Sequence, residues 1–350
     1  IRIGGAPCLK PEISGKVGQQ FWKCTTTKNF GPNQDVTLSI NGHPGKNVSD
    51  NKYEFVAPKI ESHSPKSGPF YGNWTVSLKG KFMGIAKVQD KIVVRIGKSF
   101  CRDVQVISEE EITCVTPYMK PQNNVPVMIN LFDEYDSEVY SGVDFVVPSV
   151  KKSTPAVGAT YGGDVVEFAG VGLGSKNLHA KNGIEIVVGG NPCEKLEFVS
   201  DDGYTSKVKC TLPAAEGDQL MEFSKIEVNV GDVTGTSNRV FGYRAPLVTG
   251  IDPPMAPIYG DATVIISGKF LGRKGHNSSM PTGIIGRTWC LKTEFLSSEK
   301  ITCLLPPSHG SISSSMSRNV IVTVNDHTDP ANLKNQMFRY QKPIIKKVTP

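Results

Sequence analysis

The chain has 350 residues, 38% of them hydrophobic and 21% charged, with a formal net charge of +6. That apolar content suits a folded protein of roughly two to four domains and excludes a disordered one. No apolar run approaches a bilayer-spanning length. The basic residues are scattered, the densest being pairs such as Lys151-Lys152 and Lys346-Lys347, so neither a spanning segment nor the basic stripe of a nucleic-acid binder is expected.

In chain order, the first feature is the opening Ile1-Arg2-Ile3-Gly4. It has neither Met nor an apolar leader, which leads us to expect a piece processed or excised from something longer. Next come the cysteines, in four close pairs: Cys8 and Cys24, Cys101 and Cys114, Cys193 and Cys210, Cys290 and Cys303. None forms a Cys-x-x-Cys zinc knuckle. An even set of close pairs reads as disulfides in a secreted or surface protein. Three sequons, at Asn47, Asn73 and Asn277, point the same way and predict N-glycans.

The clearest signal is internal repetition. Tyr71-Gly72, Tyr161-Gly162 and Tyr259-Gly260 align; a proline precedes each Tyr by six residues (Pro65, Pro155, Pro253) and a glycine follows by nine (Gly80, Gly170, Gly268). Three residues after the second cysteine of each pair stands Pro117, Pro213 or Pro306. The joints repeat as well: Phe55–Pro58–Pro65, Phe145–Pro148–Pro155, Tyr243–Pro246–Pro253 and Tyr340–Pro343–Pro350. They mark complete units at residues 58–147, 148–245 and 246–342. Residues 1–57 read as the C-terminal part of an earlier unit, and residues 343–350 as the start of a further one.

Within a unit the apolar period is two. Trp74, Val76 and Leu78 alternate with polar residues, as do Ile226, Val228 and Val230, and Val320, Val322 and Val324. These are half-buried strands. About seven short strands in each unit predict an all-β, immunoglobulin-like sandwich. Cys101 and Cys114 flank one expected strand, Asp103–Ile107, as a local staple worth about 3 kcal/mol in the chain-entropy model. Proline-bounded joints restrict the backbone and predict an extended rod, which small-angle scattering tests.

At Pro65-x-x-Gly68-Pro69-x-Tyr71-Gly72, Leu78-x-Gly80-x-Phe82-x-Gly84 and the Cys…Cys-x-x-Pro pair, the sequence resembles the IPT/TIG domain, an immunoglobulin-like E-set sandwich. Ile266-Ser267-Gly268-Lys269-Phe270-Leu271-Gly272 repeats the turn. The Lys-, Asn- and Ser-rich loops and the uninterrupted tandem organisation look most like the tiger family of social-amoeba surface receptors. That resemblance implies the extracellular region of a single-pass adhesion receptor. Its plasma-membrane attachment would lie in a segment absent from this chain. Its partner would be a different cell-surface protein, bound in trans for kin recognition or allorecognition. Two alternatives stand beside it: a plexin- or growth-factor-receptor-type stalk acting as a spacer, and an accessory region of a secreted carbohydrate-active enzyme. No catalytic residues, metal, cofactor or nucleic acid are expected.

The six histidines repeat at no common position and read as surface residues. Asp133-Glu134-Tyr135-Asp136 opens the most acidic stretch; it is a solvated turn, a contact loop anchored by Tyr135, or a calcium loop without the usual spacing. Tyr71, Tyr161 and Tyr259 read as structural, with the hydroxyl satisfied at the domain end. Trp74 is expected in the core and Trp289 against the disulfide. Gly170-Val171-Gly172-Leu173-Gly174 invites comparison with a phosphate cradle. It lacks the Gly-x-Gly-x-x-Gly spacing and the following helix, and it aligns with the turns at 80–84 and 268–272. Gly172 stands where the others have Phe82 and Phe270, which predicts a smaller apolar plug in the unit 148–245.

Overall fold

The computed structural model describes all residues except 28–30, 46–51, 134, 182, 217–222, 275–278, 309–315 and 346–350. The chain divides into two compact units, Ile1–Val146 and Val147–Pro350.

Period-two patterning becomes strand structure directly. In Thr75–Lys81, Val76, Leu78 and Gly80 face inward while Thr75, Lys79 and Lys81 face water. In the complete sandwich of the first unit, one sheet orders Arg102–Ser108, Glu111–Val115, Thr75–Lys81 and Lys59–Ser64. The other orders Ser67–Pro69, Tyr140–Val146, Gln122–Leu131, Ile92–Ile96 and Ser99–Phe100. The chain changes sheets beside Pro65, and Ser67–Pro69 then pairs in parallel with the last strand. The same crossing recurs in the second unit, where Val157–Ala159 pairs with Val233–Arg244 and Met255–Pro257 with Arg339–Gln341, also in parallel. The peptide bonds before Pro65, Pro155 and Pro253 are all cis.

The disulfides join Cys8–Cys24, Cys101–Cys114, Cys193–Cys210 and Cys290–Cys303. In each complete sandwich the first cysteine sits where the chain leaves one sheet for the other, between Ser99–Phe100 and Arg102–Ser108 in the first case. The staple therefore pins that later sheet crossing in each sandwich.

Two repeated positions have clear steric causes. A Cβ on Gly80, Gly170 or Gly268 would stand 1.9, 2.0 or 2.2 Å from the carbonyl oxygen of Lys59, Ser149 or Leu247, so only glycine lets the two strands meet. Two residues on, Phe82, Gly172 and Phe270 share a left-handed backbone, with φ of 58°, 70° and 56°. This corrects the expected plug. Phe82 is 56% exposed, and the buried side chain in all three turns is the next one: Met83, Leu173 or Leu271. Gly172 relaxes a strained turn, and the apolar fill beneath it is unchanged in kind.

The joint aromatics carry a satisfied hydroxyl at the domain end. Tyr243 Oη donates to the Pro213 carbonyl at 2.8 Å, and Tyr340 Oη to that of Pro306 at 2.9 Å. Burial pushes both phenols up from their ordinary pKa. In the first unit the same joint position is Phe145, stacked at a tilt on buried Trp74. Trp74 Nε1 donates to the Pro69 carbonyl at 3.1 Å. Trp289, expected against its disulfide, is 57% exposed.

Residues 1–57 differ. Arg2–Ile3, Ala6–Pro7, Gly31–Thr37 and Lys52–Phe55 form one sheet, with a stapled hairpin of Leu9–Ser14 and Phe21–Thr25 beside it. Among the described residues there, only Ile3 and Cys8 are buried. A single sheet leaves its apolar residues without an opposing face.

Candidate contact site

In the first complete sandwich a cleft of about 600 Å³ opens between the hairpin of Ile92–Ile96 and Ser99–Phe100 and the edge strand Arg102–Ser108. Its lining includes Ile92, Val93, Arg95, Phe100, Asn130 and Asp133. Cross-strand pairing sets Arg95 opposite Phe100. The guanidinium carbon lies 5.6 Å from the Phe100 ring centroid, a cation–π contact that holds the ring in place. Phe100 nevertheless remains 59% exposed. An aromatic ring held by a cation and left open to solvent suits an interface anchor.

The acidic loop borders this cleft. Phe132 and Asp133 both have a left-handed backbone, with φ of 61° and 59°. For residues other than glycine this costs about 1–2 kcal/mol each. Asn130 Nδ2 donates to Asp136 Oδ1 at 3.0 Å, which fixes the amide's orientation. Asn130 Oδ1 is then left buried with no hydrogen-bond partner. The loop's far end is tied down by Ser137, whose Oγ accepts from the Ile129 amide at 2.9 Å and donates to the Glu138 carbonyl at 2.9 Å. Asp133 and Asp136 are exposed. Among the described residues no group of three His, Cys, Asp or Glu side chains is placed to hold a metal ion.

The other expected residues fall as follows. Asn73 is exposed, and its Oδ1 accepts from Arg102 Nη2 at 3.1 Å. Asn47, Asn277 and Glu134 lie outside the described residues, as does the Tyr135 side chain. His63 is buried, not on the surface, with Nδ1 2.9 Å from the Tyr140 hydroxyl and Nε2 3.3 Å from the Lys66 carbonyl oxygen. His327 is also buried, against the Asn325 carbonyl.

Arg95, Phe100 and Asn130 were not singled out from the sequence. A usable signal was present. The residue before the first cysteine of each complete unit is Phe100, Pro192 or Trp289, and its cross-strand partner is Arg95, Val187 or Ile284. Positions that build the fold repeat, and this one does not. Only the first unit pairs a cation with an aromatic ring there.

The fold is a series of disulfide-stapled, immunoglobulin-like sandwiches. A model of the IPT/TIG domain matches residues 58–147, 148–243 and 246–340. The chain belongs to the IPT/TIG domain family. Among solved structures it is similar to the plexin A4 full extracellular region, at 20% identity over 87% of this chain and 26% of that one, with a TM-score of 0.28. It is also similar to SGBP-B of the Bacteroides ovatus mixed-linkage glucan utilization locus, solved with a mixed-linkage heptasaccharide (15% identity, 79% and 66% covered, TM-score 0.24). A third is the mouse nectin-like molecule 4 ectodomain (8% identity, 81% and 98% covered, TM-score 0.20). The chain spans about a quarter of the plexin chain it matches. Among the described residues no helix is long and apolar enough to cross a membrane.

Proposed function

We propose that this chain is the extracellular, partner-binding region of a cell-surface adhesion or recognition receptor, not an enzyme. The observation that carries the reading is the cleft on the sandwich 58–147, where exposed Phe100 is braced by Arg95 beside the acidic loop. Guanidinium, amide, carboxylate and aromatic groups are recognition chemistry. The four disulfides support an oxidising, extracellular setting. Within this proposal the partner is a different protein on a neighbouring cell. It fills the cleft with an apolar group and offers a cation to Asp133 and Asp136. Glycan on Asn73 keeps a neighbouring surface clear. The resemblance to the tiger family makes kin recognition the finest form of the reading.

The test is binding of the complete ectodomain, displayed on beads, to cells of the same species. Phe100→Ala combined with Asp133→Ala is expected to weaken binding more than about tenfold, as for an interface hot spot. Unchanged binding by that variant removes the cleft from the proposal, and no binding by the complete ectodomain removes the adhesion reading. The spacer reading is favoured by a different observation. In the second unit the two sandwiches share a built joint: Tyr161 of one packs on the apolar cluster of the next. A stalk needs such joints.

A further inference from the structure

The cleft on the sandwich 58–147 has two ends of opposite charge. Of the residues lining it, only Arg95 and Asp133 are charged. Both are exposed, and neither has an ion-pair partner among the described residues. Strand pairing keeps them apart. Arg95 pairs with Phe100 and Met128, Val93 with Asn130, and Ile92 with Leu131; Asp133 follows in the turn beyond that last pair. At the rise of a β-strand, the three steps from Arg95 to Ile92 already separate the two backbone positions by about 10 Å. Between the charges, half-buried Val93 shares the outer face of its strand with Arg95.

The same rungs in the other complete sandwiches lack this polarity. Val93 and Asn130 correspond to Glu185 and Asn229 in one, and to Thr282 and Thr323 in the other. Three residues after Asn130, Asn229 and Thr323 comes an aspartate each time: Asp133, Asp232 and Asp326. Asp133 and Asp326 share a left-handed backbone, with φ of 59° and 60°. The carboxylate therefore belongs to the turn and recurs. The cation does not: the counterparts of Arg95 are Val187 and Ile284. Only the first sandwich sets a positive charge against the recurring carboxylate, with an apolar strip between.

We propose that this cleft holds an extended segment of the partner protein whose two ends carry opposite charge: an acidic side chain at Arg95, an apolar one over Val93 and Phe100, and a basic one at Asp133. The proposal rests on the cleft being the partner-binding site and names what the partner inserts there. In extended backbone, residues i, i+2 and i+4 share one face. An acidic–x–apolar–x–basic stretch thus presents all three groups together, its outer two about 13 Å apart, a span that the side chains of Arg95 and Asp133 can meet. Either chain direction satisfies the charges. A segment carrying one sign only meets repulsion at one end of the cleft.

A phage library of random peptides, panned on the 350-residue chain and counter-selected against its Phe100→Ala variant, tests this. The enriched peptides are expected to carry an acidic and a basic residue four positions apart with an apolar residue midway. A synthetic peptide of that pattern is expected to bind about tenfold more weakly to Arg95→Met and to Asp133→Asn. The first change keeps an unbranched stem over Phe100, and the second keeps a residue that tolerates the left-handed turn. Changing the peptide's acidic residue to Lys is expected to abolish binding to the natural chain and to restore it in Arg95→Glu. Enriched peptides without charge, or with one sign only, overturn the proposal, as does a library that yields nothing dependent on Phe100. Cell binding uses no peptide, so the two readings fail separately. Cell binding without such peptides removes this occupant alone, and such peptides without cell binding remove the adhesion reading alone.

Discussion

Residues 1–57 and residues 58–147 are stapled alike and built differently. Each carries one disulfide across a hairpin, with cysteine separations of 16 and 13. Beneath the first, only Ile3 and Cys8 are buried among the described residues, and Phe21, Leu9 and Ile13 are exposed. Beneath the second, Trp74, Leu78, Ile112, Val127 and Phe145 close a core between two sheets. A staple shortens a loop in the unfolded chain. It does not remove apolar surface from water, and only a second sheet does that. The lesson extends to function. The cleft at Phe100 is positioned by strands anchored in a core, so its side chains hold their places.

Four experiments sharpen or break this contrast. The largest effect is expected from Trp74→Ala or Phe145→Ala, each costing about 3–5 kcal/mol in denaturant unfolding of the first unit. Phe21→Ala on the exposed hairpin is expected to stay within about 0.5 kcal/mol. Equal losses at the two places would mean that residues 1–57 hold a core after all. Next, replacing Cys101 and Cys114 by Ser should lower stability by about 3 kcal/mol through the freed loop. The same change at Cys8 and Cys24 should show as faster proteolysis confined to residues 1–57. Protection of the front half by its staple alone, with a cooperative unfolding transition, would contradict the comparison.

A smaller effect separates the joints. Tyr340→Phe removes the hydroxyl that donates to the Pro306 carbonyl and should cost about 1 kcal/mol. The first unit carries Phe145 at that position and does without the bond. A loss much larger than this would assign the tyrosine a packing role beyond its hydrogen bond. The smallest change is expected from Phe82→Gly. Relief of the left-handed backbone offsets the small packing contribution of an exposed ring, for a net change under about 1 kcal/mol in either direction. A loss of core-phenylalanine size would restore the plug that the turn was first expected to hold.

Much of the fold was legible before any coordinates. Period two, the recurring prolines and the closeness of each cysteine pair are local properties. Sequence carries local properties openly, because strand pleating and short-loop closure act over a few residues. Gly80, Gly170 and Gly268 were visible as a repeat, although their cause, a carbonyl about 2 Å from where a Cβ would sit, was not. The acidic loop was legible as a candidate. The cleft beside it was not, because Arg95, Phe100 and Asn130 are separated in sequence and meet only through pairing of their strands.

Tertiary structure decided the rest by placing neighbours. Phe82 and Met83 are both apolar, and only the handedness of the turn sends one outward and the other into the core. Tyr161 and Tyr259 occupy the same register on the same backbone, so their sequence alone makes them equivalent. One lies under the next sandwich and the other faces water. Burial belongs to a residue together with whatever packs against it, and for Tyr161 that partner lies about a hundred residues further along the chain.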